Sequence, residues 1–448
     1  MFRLSHKLVL SCLAGLFVAW AGAAALGLFG QRKLFYEEFA DELSDFWMPR
    51  MCLEQGYVEH PEQYKGFVEV RTGKPIEIDE CDVVRSTWYT DGRETKFITG
   101  WRDRVYPLFG VLPLKPFPAT RFGGYLWSSI AGVAFLASLC LIAKSWWPLL
   151  LALSMPFLFN VERGNTTWLS AAFAGVFLAW WDDERDWRML VAAACLAVAG
   201  AMKVTPFALG LVYFTKWRWR PVLLCGFLSA VFVFVPWMFM SDGLAQFSAM
   251  VRNAAAQSQF MQRASDFGLV QLWRTVRIVL GQDIQEVWTG MRLVAVASQL
   301  IGAAALIYGV RRRDMLLMVG GMILAAGNMY YYAMLYLLPV FVLEWIVGEK
   351  GIGGRSWSLE LELESGGGDF SWSQGLELEL ESGGGDFSWS QGLKVVEAVL
   401  WLALLSPLQL VLLGHSANQV IGNLSLLGLM LLRIWQNRLT NLAITTNN

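Results

Sequence analysis

A carboxylate that could act as a general base lies soon after the first apolar run of the chain. Asp45 belongs to the stretch from Tyr36 to Met48, which is rich in acids and aromatic residues and lies close to the expected outer surface of a membrane. Removing water from such a carboxylate raises its pKa, and a raised pKa suits proton abstraction near neutral pH. The alternative is structural, because Ser44 and Asp45 could cap a helix that starts near Trp47.

Two cations between apolar runs could bind an anionic phosphate. Lys203 lies at a turn just before Pro206, and a lysine at membrane depth usually faces a partner or a cavity. The structural alternative is that the side chain of Lys203 extends to the membrane–water interface. Arg163 lies in an outer hairpin tip, Glu162 to Asn165, where a guanidinium could bind a phosphate through two hydrogen bonds. Gly164 permits the tight turn in either case.

Polar and aromatic residues also lie where apolar runs begin or end. Asn328 and the tyrosines at 330–332 lie at the outer end of two runs, and Tyr106-Pro107 ends the first long loop. Tyrosines are common at membrane interfaces without any function. The alternative is that these rings stack against the face of a sugar.

Cysteine and histidine usage limits the possible sites. Cys52 and Cys81 share one long polar loop, and they could form a disulfide if that loop faces an oxidising compartment; two unpaired thiols are the alternative. The chain has only three His and no His/Cys ligand cluster, so we assign no metal site. Paired carboxylates in the first loop could still hold Mg²⁺.

The elements that position these residues must lie in a membrane. Of the 448 residues, 55% are hydrophobic and 16% are charged, whereas an average soluble domain carries about 25% charged residues. These proportions exclude soluble, disordered and collagen-like classes. The basic residues lie in short clusters between apolar runs, which is not the pattern of a nucleic-acid-binding protein. We therefore predict an all-α integral membrane protein, a polytopic bundle of about 12 transmembrane helices.

Twelve apolar runs support that number. They cover residues 8–29, 122–143, 147–160, 166–181, 188–202, 205–215, 222–240, 291–309, 315–327, 329–347, 395–414 and 420–434. Arg3 and Lys7 precede the first run, so the positive-inside rule predicts a cytoplasmic N-terminus. The small residues Ala21 to Ala25 leave a cleaved signal peptide as the alternative to a retained first helix.

Alternation of these runs assigns each loop to a side. The predicted cytoplasmic segments are 144–146, 182–188, 216–220, 311–314, 348–394 and the C-terminal tail. The predicted outer segments are the long loops 30–121 and 241–290 and the short ones 161–165, 203, 327–328 and 415–419. The dense basic clusters fall on the cytoplasmic side, as the positive-inside rule requires.

The chain divides into three parts. Residues 1–347 form the membrane core with both long outer loops, residues 348–394 form a cytoplasmic loop, and residues 395–448 form C-terminal helices and a tail. Within the loop, Leu359–Gly375 is repeated identically as Leu376–Gly392. Its Leu/Glu alternation is a strand pattern. We favour a tandem duplication in a tolerant loop over a docking element for a basic partner.

The order of these pieces resembles glycosyltransferase family 87, within the multi-spanning GT-C superfamily, over about residues 8–345. The chain differs from the family pattern in one missing Pro, one missing Gln and one missing His. The matching segments are Asp45-Phe46-Trp47, Gly56-Tyr57, Tyr106-Pro107-Leu108-Phe109, Arg163-Gly164-Asn165, Lys203-Val204-Thr205-Pro206, and Asn328 to Tyr332 followed by Pro339.

The resemblance implies a reaction. The donor would be a polyprenyl-phosphate-sugar, usually of mannose, bound from the bilayer, and the acceptor would be a hydroxyl of a glycolipid or glycan. Transfer would occur at the extracytoplasmic face of a bacterial-type inner (plasma) membrane, with inversion at the sugar and with both termini cytoplasmic. No cofactor is implied, and the sequence has no Gly-rich phosphate loop of the Walker type.

The resemblance also implies residue roles. Asp45 would deprotonate the acceptor hydroxyl, with Asp41, four residues earlier on the same helical face, in reserve. Four cations are expected at the donor phosphate, where they would stabilise developing charge: Lys203, Arg163, Arg104 and Arg252. Five residues are expected to contact the substrates: Tyr106, Asn165, Asn328, Tyr331 and Tyr332.

Two other classes of protein share this topology. A transporter or flippase would also have about 12 spans, but the chain lacks paired Gly/Pro-broken spans in corresponding halves. A membrane glycan polymerase or ligase would have similar spans with Arg-rich loops. Donor dependence separates these classes: the expected enzyme transfers sugar from a lipid phosphate, whereas a transporter moves solute with no covalent product.

Overall fold

The fold is almost entirely helical in this computed structural model. The structure describes residues 11–12, 14–19, 22, 43, 45–46, 49–50, 53, 86–90, 93–97, 107–118, 120–215, 218–240, 243, 245–251, 268–280, 291–326, 331–347, 389–406, 411–412 and 415–446. Most of both long outer loops and all of the repeat at 359–392 lie outside these residues. Short antiparallel hairpins are the departures from the predicted all-α fold. They pair β1 (Ser86–Thr90) with β2 (Arg93–Phe97), and β3 (Val411–Leu412) with β4 (His415–Ser416).

The α-helices whose full bounds lie within the described residues are α1 (Leu108–Val111), α2 (Arg121–Ala143), α3 (Met155–Arg163), α4 (Thr167–Trp180), α5 (Asp186–Met202), α6 (Leu211–Thr215), α7 (Trp219–Phe234), α8 (Gly268–Val279), α9 (Met291–Arg312), α10 (Met315–Ala325), α11 (Leu337–Phe341), α12 (Trp389–Leu405) and α13 (Ala417–Thr446). Two of them, α1 and α8, lie within the segments predicted as long outer loops, and the others overlap the apolar runs of the sequence. Between them lie 3₁₀ segments, Leu112–Leu114, Trp147–Leu153, Thr205–Gly210, Val235–Phe239 and Tyr331–Tyr336, and one π-helical turn, Val342–Ile346.

In the part of the chain that the structure describes, three helical stretches are long and apolar enough to cross a membrane. They are Phe122–Ala143, Trp219–Phe239 and Leu293–Arg312. Four shorter apolar stretches accompany them within the described residues: Thr167–Trp180, Thr205–Thr215, Met315–Ala325 and Tyr332–Ile346. The chain is therefore a membrane protein, while the number of about 12 spans stays a prediction.

Ion pairs join the segments that the sequence assigns to the cytoplasmic side. Asp182, after α4, contacts Arg218 at 3.3 Å and Arg313 at 3.0 Å. These three residues come from three different predicted cytoplasmic loops. Their contact agrees with the predicted alternation of spans, since loops of one side must lie together. Which compartment they face stays a prediction.

Small residues let α9 and α10 approach closely. A Cβ added at Gly302 would lie 2.3 Å from the backbone nitrogen of Ala325, and one added at Gly321 would lie 2.4 Å from that of Leu306. Close backbone approach through small residues is how membrane helices gain packing contacts when lipid is as apolar as their side chains. Helix α9 of this hairpin also packs against α8.

Candidate active site

Asp45 lies in a short buried segment that docks against the end of α3. The backbone N–H of Leu43 donates to the carbonyl oxygen of Glu162 at 2.8 Å, and Leu43 and Phe46 are fully buried. Leu43 has a φ of 57°, a left-handed conformation that costs an L-residue roughly 1–2 kcal/mol. The hydrogen bond and the burial hold this conformation in place and thereby set the position of Asp45.

Two glycines make room for this segment. At Gly164 an added Cβ would lie 2.8 Å from Cβ of Phe46, and at Gly124 it would lie 2.7 Å from a methyl carbon of Leu43. Gly164 also has a φ of 66° and ends α3 in the left-handed conformation, as glycine commonly does after a helix. The predicted tight turn at Gly164 is confirmed, and its reason includes this close approach.

The carboxylate of Asp45 meets the hairpin tip that the sequence singled out. Oδ2 of Asp45 accepts hydrogen bonds from Nε of Arg163 and from Nδ2 of Asn165, both at 3.0 Å. Only 5% of Asp45 is exposed. Arg163 and Asn165, which lie 118 and 120 positions further along the chain, thus hold one carboxylate oxygen.

Lys203 reaches the same site from the end of α5. It is the first residue after that helix, with an extended backbone, and its Nζ lies 5.2 Å from the centroid of the Tyr332 ring. A cation at this distance from an aromatic face is electrostatically favourable. Its charge also acts on Asp45, so Asp45, Arg163, Lys203 and Tyr332 form one site.

The electrostatics of Asp45 differ from the sequence-based expectation. Burial alone would raise the pKa of its carboxyl, but the charges of Arg163 and Lys203 and the hydrogen bonds from Arg163 and Asn165 outweigh burial. The pKa therefore lies below its ordinary value of 3.8. The expectation of a raised pKa was wrong because desolvation here comes together with two cations. Asp45 is consequently ionised at neutral pH.

The first turn of α4 contributes residues that sequence reasoning missed. Oδ1 of Asn165 accepts hydrogen bonds from the backbone N–H of Thr167 at 2.9 Å and from its hydroxyl at 2.6 Å. The Asn-x-Thr order at a helix start is a signal for such a turn. Ser170, one turn later, lies outside this set of contacts, because its hydroxyl contacts the carbonyl oxygen of Ala199 at 2.9 Å and the hydroxyl of Tyr336 at 2.7 Å.

Asn160 and Trp127 complete the support of the site and were also missed. Nδ2 of Asn160 donates to the carbonyl oxygen of Tyr332 at 3.2 Å, which joins α3 to the segment that places the aromatic ring under Lys203. Nε1 of Trp127 donates to the carbonyl oxygen of Gly164 at 3.0 Å. A side chain that binds a distant backbone carbonyl leaves no local pattern in the sequence.

Several predicted site residues fall outside the described part of the chain. For Tyr331 the backbone lies in a 3₁₀ segment, but its side chain is not described. Within the described residues no group of three or more His, Cys, Asp or Glu side chains could hold a metal ion. The predicted residues outside the description are Asp41, Cys52, Cys81, Arg104, Tyr106, Arg252 and Asn328.

A protein-family model matches the part of the chain that carries most of these residues. The model described as Glycosyltransferase family 87 matches residues 105–336, just over half of the 448 residues. The match includes Arg163, Asn165, Lys203 and Tyr332, whereas Asp45 precedes it and joins the site through the tertiary structure. No curated protein and no solved structure matches the chain.

Proposed function

The chain belongs to glycosyltransferase family 87 and is a membrane glycosyltransferase, and from this premise we propose the reaction that its site catalyses. The donor is a polyprenyl-phosphate-hexose, with mannose as the first candidate sugar. The acceptor is a hydroxyl of a glycolipid or glycan. Transfer takes place at the extracytoplasmic face of an inner (plasma) membrane, with both termini of the chain in the cytoplasm.

The observation that carries this proposal is the buried carboxylate of Asp45 beside two cations. Arg163 and Lys203 keep Asp45 ionised, so the unprotonated form that a base requires is present throughout the neutral range. The same cations make this carboxylate a weaker base than a raised pKa would, so proton transfer has to accompany bond formation. Asp45 takes the proton of the acceptor hydroxyl while that oxygen forms a bond to the anomeric carbon. The bond between this carbon and the phosphate oxygen breaks from the opposite side, which inverts the centre. Polyprenyl phosphate leaves with the electron pair.

The cations have the charge that the leaving phosphate requires. Lys203 is the first candidate for contact with the phosphate, because an ammonium held at a helix end near Asp45 stabilises negative charge that develops there. Arg163 donates from Nε to Asp45, and its positive charge adds to the field that stabilises a nearby phosphate. Arg104 and Arg252 remain proposed helpers, and Asp41 remains the reserve base.

The remaining polar residues are assigned by their contacts. Tyr332 lies under Lys203 and is proposed to contact the transferred sugar, together with Tyr106, Asn328 and Tyr331. Asn165 is fully buried, and both ends of its amide bind within the protein. We therefore assign Asn165 to holding Asp45 rather than to direct substrate contact.

The test is a transfer assay with the purified protein in lipid nanodiscs. Radiolabelled polyprenyl-phosphate-mannose and a short glycolipid should give a labelled product with the inverted configuration, whereas a nucleotide-sugar should give none. Polyprenyl-linked glucose and galactose compete in parallel to identify the sugar. Movement of free sugar without a covalent product would instead indicate a transporter.

The variant Asp45→Asn tests the proposed base. It should lower kcat by at least about 100-fold, the usual contribution of a positioned general base. Its matched control is Asp186→Asn, which removes an exposed carboxylate at the start of α5, the helix that ends next to Lys203. A folded, active Asp45→Asn protein, or transfer from nucleotide-sugar alone, would overturn the proposal.

A further inference from the structure

One residue at the start of α4 touches the site only through another side chain. Thr167 does not contact Asp45 in any described hydrogen bond, yet its N–H and its hydroxyl both bind Oδ1 of Asn165. Nδ2 of the same amide binds Oδ2 of Asp45 at 3.0 Å. Thr167 and Asn165 are fully buried and Asp45 nearly so, so water competes little for these hydrogen bonds.

We propose that Thr167 is a positioning residue for the transfer reaction, which acts on Asp45 through the amide of Asn165. This inference rests on the proposed function for the role of Asp45, but the hydrogen-bonded chain is independent of it. Two donors on Oδ1 hold the amide in one orientation and rotamer, with its NH₂ group toward the carboxylate. Donation to the amide oxygen also polarises the amide and strengthens the bond that its NH₂ group makes.

The position of Thr167 on a helix makes this hold rigid. Its N–H is one of the first N–H groups of α4, which have no partner within the helix, and the side chain of Asn165 satisfies it. The threonine hydroxyl has few positions open to it, because χ1 of a β-branched side chain is restricted in a helix, and the hydrogen bond to Oδ1 of Asn165 selects the one observed. The orientation of Asn165 is therefore set by α4 and not by the loop that carries Asn165.

Within the described residues, the charged and titratable groups that act on Asp45 come from three other elements. Arg163 lies at the end of α3, Lys203 follows α5, and Tyr332 belongs to the 3₁₀ segment Tyr331–Tyr336. The two cations favour the ionised carboxylate whether or not Thr167 is present. The amide adds to them a hydrogen bond to the ionised form, and a hydrogen bond to that form favours it.

Loss of the hydroxyl should therefore shift the titration of Asp45 in a known direction. In Thr167→Val the amide loses one of its two anchors, its bond to the carboxylate weakens, and the ionised form is less favoured. The acid limb of kcat/KM should move to higher pH by at least about 0.5 unit. Thr167→Ser keeps the hydroxyl and should restore most of the wild-type profile.

Ser170 provides the matched control. It lies one turn further along α4, it is equally buried, and it also contacts the rest of the protein through a hydroxyl. Its partners are the carbonyl oxygen of Ala199 and the hydroxyl of Tyr336, not Asn165. Ser170→Ala should lower thermal stability without moving the acid limb, because its hydroxyl has no connection to the amide.

A double-mutant comparison separates positioning from general destabilisation. In an Asn165→Ala background, Thr167→Val should cause no additional shift of the acid limb, because the hydroxyl acts only through the missing amide. An equal shift in both backgrounds would overturn the inference. So would an unshifted profile of folded Thr167→Val, or a shift in Ser170→Ala as large as that in Thr167→Val.

Thermal unfolding as a function of pH tests the same chain without any activity. Asp45 has a lowered pKa in the folded state, so its stabilising contribution is present above the unfolded pKa and is lost as pH falls through the folded pKa. In Thr167→Val this loss should occur at higher pH. In a protein that already carries Asp45→Asn, adding Thr167→Val should no longer change how thermal unfolding depends on pH. Shifted unfolding in a protein without transferase activity would refute the proposed function alone. Normal transfer with unshifted unfolding would refute the role of Thr167 alone.

Discussion

Substitution of Gly164 by alanine tests whether the docked position of Asp45 controls the reaction. Gly164 ends α3 with a φ of 66°, and its Cβ would lie 2.8 Å from Cβ of Phe46. Both Cβ atoms are bonded directly to the backbone, so a side-chain rotation cannot relieve the contact. The segment that carries Asp45 must move or the helix end must distort. The carboxylate would then move relative to Lys203, which is held by a different helix.

The size of the effect has two parts. An alanine in the left-handed conformation costs roughly 1–2 kcal/mol, and overpacking against Phe46 adds about 1–3 kcal/mol. Gly164→Ala should thus destabilise the protein by about 2–5 kcal/mol. A displacement of the base by about 1 Å should lower kcat by about 100-fold.

Gly268→Ala is the control for the backbone cost alone. Gly268 has the same φ of 66°, but the atoms nearest to its added Cβ are side-chain ends, Cδ2 of Leu324 at 3.0 Å and Oγ of Ser298 at 3.1 Å. It should lose about 1–2 kcal/mol of stability and keep the wild-type kcat. Thermal unfolding and transfer rates of both variants are measured at a temperature where each is folded. Equal kcat values for the two variants would refute the argument that contact with Gly164 positions Asp45.

Three further predictions concern pH, the repeat and the C-terminal helices. Because the pKa of Asp45 lies below 3.8, the stability difference between the wild type and Asp45→Asn should stay constant from pH 7 to about pH 4 and decline only below that; a decline centred above pH 5 would contradict the assignment. Deletion of Leu376–Gly392 should leave transfer near normal and change stability by only about 0.5 kcal/mol, since loop-closure entropy depends weakly on length, and a folded but inactive deletion variant would show that the repeat matters. Arg433→Met should destabilise the protein by about 3–5 kcal/mol in thermal unfolding, because it leaves Glu344, Glu397 and Asp314 without their shared cation; unchanged unfolding would show that these carboxylates do not need it.

The membrane class and the order of the site segments could be predicted from the sequence because both are local properties. Runs 122–143, 222–240 and 291–309 correspond to the three helices that are long enough to span a bilayer among the described residues, since length and hydropathy alone define such helices. The turn at Gly164 was predicted because a glycine between two apolar runs is a local signal. Arg163, Asn165 and Lys203 were found because polar residues are rare among apolar runs.

Most residues that hold the site together could not be found in this way. Thr167 had a local signal in the Asn-x-Thr order, whereas Asn160 matters because it binds Tyr332, 172 residues away. The closeness of Gly124 to Leu43 is equally invisible in the sequence, since it depends on how two distant segments pack.

The sequence by itself determined that this is a membrane protein with rare polar residues in a particular order, because the partition of side chains between lipid and water depends only on local composition. Only the tertiary structure decided that Asp45 accepts hydrogen bonds from Arg163 and Asn165 and that the charge of Lys203 lowers its pKa. It also reversed the expected pKa shift of Asp45, because the energy of a buried charge depends on which other charges lie near it. That arrangement is set by packing between helices and not by any single stretch of chain.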